Sequence, residues 1–236
     1  MRIFPNFRIV IYCWIATCGI AGRAALPTDE AVVEGGTGAV GMPVRFKVYS
    51  ERKWEGLRFE PREGVVEELK FYSSSRSPVH IYTGDGPIVF YRMAEEAEGE
   101  RRVAAVVERN NLPEEALFIF VERKSSGAAN AGGFDVIVFE DGKKQLPARH
   151  VVIANLAGFP LQGRLGNEKF LLSPGDFSPP FRLNRSRALA LATVSGVPVF
   201  DYPGARMEAD ERALLILFPP YLPGSPEVQA RWLRER

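Results

Sequence analysis

The chain contains two imidazoles, His80 and His150, 70 positions apart in 236 residues. A Ser-His-Asp device needs a nucleophile, a base and an orienting acid brought together. No serine here sits in a Gly-x-Ser-x-Gly elbow. His80 lies between Val79 and Ile81 in an alternating stretch, and His150 closes a polar linker. Both read as ordinary strand and linker residues. Two distant histidines without closely spaced carboxylates do not describe a metal site. The acidic run Glu95, Glu96, Glu98 and Glu100 lacks the Asp/Asn order and turning glycine of a calcium loop. Asp201, Asp210 and Glu211 are the carboxylates that could pair for glycoside cleavage, though nothing sets them apart from surface loop residues. Gly36-Thr37-Gly38-Ala39-Val40-Gly41 matches G-x-G-x-x-G, but Pro43 and a strand-like VRFKV follow it. A dinucleotide site needs a helix there, so the match is rejected. Cys13 and Cys18 are the only cysteines, and both lie near the start. The expectation is a chain without catalytic, cofactor or metal residues, and with a binding surface of unknown place.

Aromatic side chains are the remaining lead for binding. Trp54, Tyr72, Tyr82, Tyr91, Tyr202, Tyr221 and Trp232 could build a sugar-stacking platform or a protein-docking patch. Filling a core is the commoner use of such residues.

The elements that must position these groups are strands. Gly 22 and Pro 18 punctuate a chain that is 46% hydrophobic and 25% charged, which favours many short strands and turns. VRFKV alternates apolar and charged residues from Val44 to Val48, and Pro43–Phe59 reads as a hairpin. ALFIF (116–120) and ALLIL (213–217) are continuous apolar runs, the pattern of strands buried on both faces. VHIYTGDGPIVFYR from Val79 and LQGRLGNEKFLLSP from Leu161 read as the same strand–turn–strand phrase, 82 positions apart. This offset sets Pro78 on Pro160, Gly84 on Gly166 and His80 on Gln162. The apolar runs correspond at a second offset, 97. The C-terminal EVQARWLRE is read as a strand because the matching FDVIVFED is one.

The fold class expected is all-β: two tandem small antiparallel β-sandwich (Ig-like) modules, at 43–142 and 150–236. A short linker, Gly142–His150, would hold them close. Residues 25–42 read as a flexible lead-in. Residues 1–24 read as a signal peptide: Arg2 and Arg8, an apolar run from Ile9 to Ile20, and Gly22 and Ala24 before a cut at Ala25. A retained anchor and a lipoprotein signal at Cys18 are the weaker alternatives; the apolar run is short for a span, and Thr17 is large for the residue before a lipidated cysteine. The mature chain would then carry no membrane span and no cysteine, and would be periplasmic or extracellular. With 30 basic against 29 acidic side chains, nucleic acid is an unexpected partner.

The stretch VVIANLAGFPLQGRLGNEKFLLSPGD, with Asn155, Gly166 and Leu172-Ser173-Pro174-Gly175, resembles a phrase in secreted bacterial β-sandwich proteins of unassigned function. The likeness covers residues 116–236 and implies fold and export, not an activity. In size and class alone the chain is also similar to periplasmic pilus-assembly chaperones. The function expected is a binding or envelope-structural role, without catalysis, toward an unidentified protein or polysaccharide. The alternatives are a carbohydrate-binding accessory module, then a hydrolase, then a chaperone-like partner for an unpaired strand.

Overall fold

The computed structural model describes residues 42–94, 99–110, 112–123, 133–183, 185–222 and 224–236. The expected leader, nearly all of the lead-in, the Gly36–Gly41 match and Glu95, Glu96 and Glu98 lie outside the described residues. Everything described is strand, turn or loop, and no helix among these residues is long and apolar enough to cross a membrane.

Among the described residues, sixteen strands form two sets of eight. The first set is β1 (Val44–Ser50), β2 (Arg58–Arg62), β3 (Val65–Glu68), β4 (His80–Tyr82), β5 (Ile88–Met93), β6 (Arg101–Val107), β7 (Glu115–Glu122) and β8 (Phe134–Glu140). The second is β9 (His150–Asn155), β10 (Leu161–Leu165), β11 (Glu168–Leu172), β12 (Phe181–Arg182), β13 (Arg187–Thr193), β14 (Pro198–Ala205), β15 (Arg212–Phe218) and β16 (Gln229–Glu235). The first set makes sheets ordered β4-β1-β7-β8 and β3-β2-β5-β6. The second makes β12-β9-β15-β16 and β11-β10-β13-β14, the same orders shifted by eight strands. Pairing is antiparallel apart from one parallel pair in each set, β1/β7 and β9/β15. The chain is all-β, with each set a two-sheet sandwich, as its composition implies.

The repeat is real in strand order, but the offset of 82 misplaces it. β1 and β2 belong to different sheets, so Pro43–Phe59 is not a hairpin. Gly84-Asp85-Gly86 carries the chain from one sheet to the other, between β4 and β5, whereas β10 and β11 are a true hairpin. The parallel registers give the correct match. Phe46 faces Ala116, and Val151 faces Ala213, so β1 falls on β9 and the offset of 97 between β7 and β15 holds. A Ser-Pro pair marks both copies. The Ser77 hydroxyl accepts the Val48 N–H at 2.8 Å and donates to the Pro78 carbonyl at 2.7 Å. The Ser178 hydroxyl accepts the Ile153 N–H at 2.9 Å and donates to the Pro179 carbonyl at 2.9 Å. Alternation and turn glycines are shared by all hairpins, which is why they gave a false alignment.

β7 and β15 explain how the two sandwiches become one body. Ala116, Phe118 and Phe120 point into the first sandwich core with Phe46, Phe59 and Phe90. Ala213, Leu215 and Leu217 point into the second, with Val151, Ile153 and Leu189. The intervening Leu117, Ile119, Leu214 and Ile216 join Tyr49, Phe139, Val152 and Leu233 in a third core. That core lies between the two β7- and β15-containing sheets, so four sheets stack in sequence. A strand whose successive side chains enter two different cores has no polar position to spare. The linker joins in through Leu146, which is fully buried there.

Charges seal one margin of this junction. Arg76 donates to the Leu233 carbonyl at 2.9 Å and to Asp141 at 3.1 Å. Lys47 bridges Asp141 and Glu235, while Arg212 donates to Glu235 Oε2 at 2.6 Å and to the Asp141 carbonyl at 2.8 Å. Asp141 and Glu235 occupy matching positions: Asp141 is one residue past Glu140, the partner of Ala116, and Glu235 is one past Arg234, the partner of Ala213. The acids thus belong to opposite halves, and the cations tie them together. Asn155 fastens the far end of β9. Its side-chain NH2 donates to the Phe159 and Leu172 carbonyls at 2.9 and 3.0 Å, and its Oδ1 accepts the Ala157 N–H at 3.1 Å. Gly163 is held open by its cross-strand partner: an added Cβ would meet the Phe170 ring at 2.1 Å.

Burial alone would raise the Glu235 pKa, but the Lys47 hydrogen bond and the charges of Arg76, Lys47 and Arg212 outweigh it and hold it below its ordinary 4.5. A carboxyl depressed in the folded state stabilises the fold above its unfolded value and loses that contribution as pH falls through the folded one. Acid titration followed by urea unfolding will show stability declining below about pH 4.5, and Glu235→Gln will flatten that decline. Tyr49 has its hydroxyl buried in the third core with no hydrogen-bond partner among the described residues. Its burial pushes the phenol up to about 12, against a smaller opposing pull from Arg231. Tyr49→Phe removes that orphaned group and will raise stability by about 1 kcal/mol in thermal unfolding.

Candidate functional site

The sandwich rim between edge strands β14 and β16 carries a cluster of partly exposed aromatic rings that the fold assembles from distant sequence. Leu189 pairs with Tyr202 and Leu191 with Phe200, so both rings point to the inner side of their sheet. Leu215 pairs with Trp232 across β15 and β16, which puts the indole on the inner side of the facing sheet. Because β14 and β16 are both edges, these three rings stay partly open to solvent while packing on the core beneath. The Phe200 and Tyr202 rings lie nearly parallel, at 2° and 6.4 Å between centroids. Tyr202 and Trp232 stand 5.4 Å apart at 46°. The Arg234 guanidinium lies over the indole at 5.4 Å and donates to Glu211 at 3.1 Å.

The first sandwich closes the same rim differently. There β6 supplies Ala104 and Ala105, β8 supplies Val136 and Val138, and the two edges come into contact. Val138 stands where Trp232 stands in the second copy, since Phe118 pairs with Val138 as Leu215 pairs with Trp232. Small residues let one mouth shut; large rings prop the other. β14 itself is poor at recruiting another strand, because Pro198 and Pro203 interrupt its free edge.

The other expected aromatics fall elsewhere. Tyr82 and Tyr91 are buried. Trp54 packs on the first core, donates Nε1–H to Ser50 Oγ at 3.0 Å and lies beneath Arg92. Tyr72 and Tyr221 are exposed, Tyr221 at 83% on the loop before β16. Phe200 does not stand out in the sequence, although its alternation with Asp201 and Tyr202 in VFDY marks the same strand face.

The groups weighed for catalysis are dispersed. His80 is buried in β4, packed against Phe46 and Phe59, with Nδ1 at 2.5 Å from Glu67. His150 Nδ1 faces the Ala148 carbonyl at 2.8 Å in the other half. Glu211 is taken up by Arg234 and by the Glu208 N–H at 3.0 Å, while Asp201 and Asp210 are exposed. No group of three or more His, Cys, Asp or Glu side chains able to hold a metal occurs among the described residues.

His80 does have a structural counterpart, and it is not Gln162. Phe46 pairs with His80 and Val151 with Phe181, so Phe181 occupies the equivalent place. The His80 Nε2 is buried without a partner among the described residues. His80→Phe will therefore fold with an unchanged or higher melting temperature in calorimetry, the ring fitting as Phe181 does and Glu67 turning to solvent. No protein-family model matches this chain, and no curated protein matches its sequence.

Proposed function

We propose that the chain is an exported, non-catalytic protein of the cell envelope or exterior, and that its second sandwich binds a polysaccharide on the rim formed by Phe200, Tyr202 and Trp232. Export rests on the leader-like residues 1–24. The absence of assembled catalytic geometry at His80, His150, Asp201, Asp210 and Glu211 makes binding the simpler reading. One observation supports the choice of ligand: two rings held nearly parallel and a third beside them, all partly open to solvent. Aromatic faces receive the apolar face of a sugar ring, and adjacent donors take its hydroxyls. The likeness of Val151–Asp176 to secreted β-sandwich proteins of unassigned function is consistent with this reading and adds no activity to it.

Retention on insoluble polysaccharides tests the proposal. The intact protein will be retained on at least one polymer of a panel. A Tyr202→Ala/Trp232→Ala double variant will bind at least about tenfold more weakly, the factor expected from losing two aromatic contacts. Val138→Ala, at the matching rim of the first sandwich, will bind as the unaltered protein does. Undiminished retention of the double variant would overturn the reading.

A further inference from the structure

The two outer sheets end in edges that are guarded differently. β14 closes its sheet with Pro198 and Pro203 in the strand, and proline on a free edge blocks pairing with a further strand. β6 closes the matching sheet of the first half. It hydrogen-bonds β5 on one side and no strand on the other among the described residues; β8, which it touches, belongs to the facing sheet. Its stretch Val103-Ala104-Ala105-Val106-Val107 holds no proline and no charge. Val103 and Val106 are 57% and 49% exposed, with Val89 beside them at 37%. An apolar edge of this kind is a template for one more strand.

The residues of β6 indicate which strand that is. Val103 pairs with Tyr91, Ala105 with Phe90 and Val106 with Val89, and the register shifts at Ala104. Phe90 lies in the first core, so Ala105 faces inward and Ala104 is buried with it, while Val103 and Val106 both face out. In a straight strand, residues three apart point to opposite faces; the bulge sets these two on one face. Arg102 pairs with Arg92, whose guanidinium lies over Trp54 and Phe134, and Val107 pairs with core Ile88, so both belong to the inner face. Read in either direction from the point between Ala104 and Ala105, the strand thus shows one order of faces, and it ends in Arg101 on one side and exposed Glu108 on the other. A bulge ordinarily spoils an edge, because a straight neighbour falls out of step with it. A second copy of β6, bulged at the same place, stays in step, and its opposite end charge meets each end.

We propose that the chain dimerises about a twofold axis between Ala104 and Ala105, with β6 running antiparallel to β6 of a second copy and the two four-stranded outer sheets joined into one. Val103 packs on the partner's Val106. Arg101, which holds Glu60 at 2.5 Å and lies over the Tyr91 ring, meets the partner's Glu108. Apolar cross-strand pairs supply the adhesion. The exposed end charges add little strength but fix direction, because a parallel arrangement would set Arg101 against its own copy. The same patch is used by both molecules, so the contact closes at two and does not propagate. It lies on β6, and each copy keeps its own Phe200, Tyr202 and Trp232 rim on β14 and β16.

Sedimentation equilibrium over a wide range of concentration tests the pairing. The purified chain will sediment as a dimer that dissociates on dilution. Val103→Lys/Val106→Lys sets like charges directly opposite each other at two places, and will raise the dissociation constant at least about tenfold. Val103→Lys/Val106→Glu alters the same positions but sets opposite charges together, and will stay dimeric at concentrations where the double-lysine variant is monomeric. Added salt will narrow the gap between the two. Both valines are exposed, so circular dichroism of either variant will show unaltered strand content. If the double-lysine variant does not fold, Val103→Thr/Val106→Thr, which keeps the branched shape, takes its place and will give a weaker dimer. A monomer at every concentration overturns the proposal and leaves the edge to a strand of another protein. A dimer that both charge variants break equally overturns the antiparallel register, and a dimer that neither affects overturns the choice of β6.

Discussion

The central constraint on this molecule is that β7 and β15 must bury both faces. Each alternates its side chains between its own sandwich core and the core shared with the other half. A sheet buried on one side only would leave Leu117, Ile119, Leu214 and Ile216 in water, at a cost of about 1.5–3 kcal/mol for each side chain left exposed. The shared layer is thus required by the sequence of those two strands. The ion cluster of Lys47, Arg76, Asp141, Arg212 and Glu235 follows from the same geometry. It caps the margin where the two inner sheets stop, and contacts cross between the halves from Lys47 to Glu235, from Arg212 to Asp141 and from Arg76 to the Leu233 carbonyl. Buried pairs of this kind add little net stability over apolar packing, but breaking one leaves a stranded charge, so they fix how the halves register.

The frame is written twice, and the two copies differ at their rims. The Ser-Pro clasp, the parallel pair and the order of the eight strands persist in both copies. What changed is the residue class at a few edge positions: Val138 against Trp232, His80 against Phe181. The central strands β7 and β15 of the two inner sheets cannot accept such changes, because their side chains are committed to packing on both faces. Edges and loops can, and that is where binding groups accumulate on rigid scaffolds.

The sequence was most legible where burial is most complete. ALFIF and ALLIL declared doubly buried strands, and their offset of 97 aligned the copies correctly. It was least legible where turns dominate. Gly84-Asp85-Gly86 and Gly166-Asn167 share turn chemistry, yet one changes sheets and the other closes a hairpin. Local propensity governs whether a chain bends; which sheet it enters next is decided by long-range pairing that no short window contains. The rim aromatics were half legible for a similar reason. Tyr202 and Trp232 stood out by type, but their adjacency depends on two edges coming together from positions 30 apart.

The shared layer also has a consequence in time. Chains are made from the N-terminus at about 5–20 residues per second, so the first sandwich is complete several seconds before the last strand of the second exists. Throughout that interval its Leu117, Ile119 and Phe139 surface has no cover of its own. A nascent molecule therefore passes through a stage with a sticky flank, covered only when its own second half emerges.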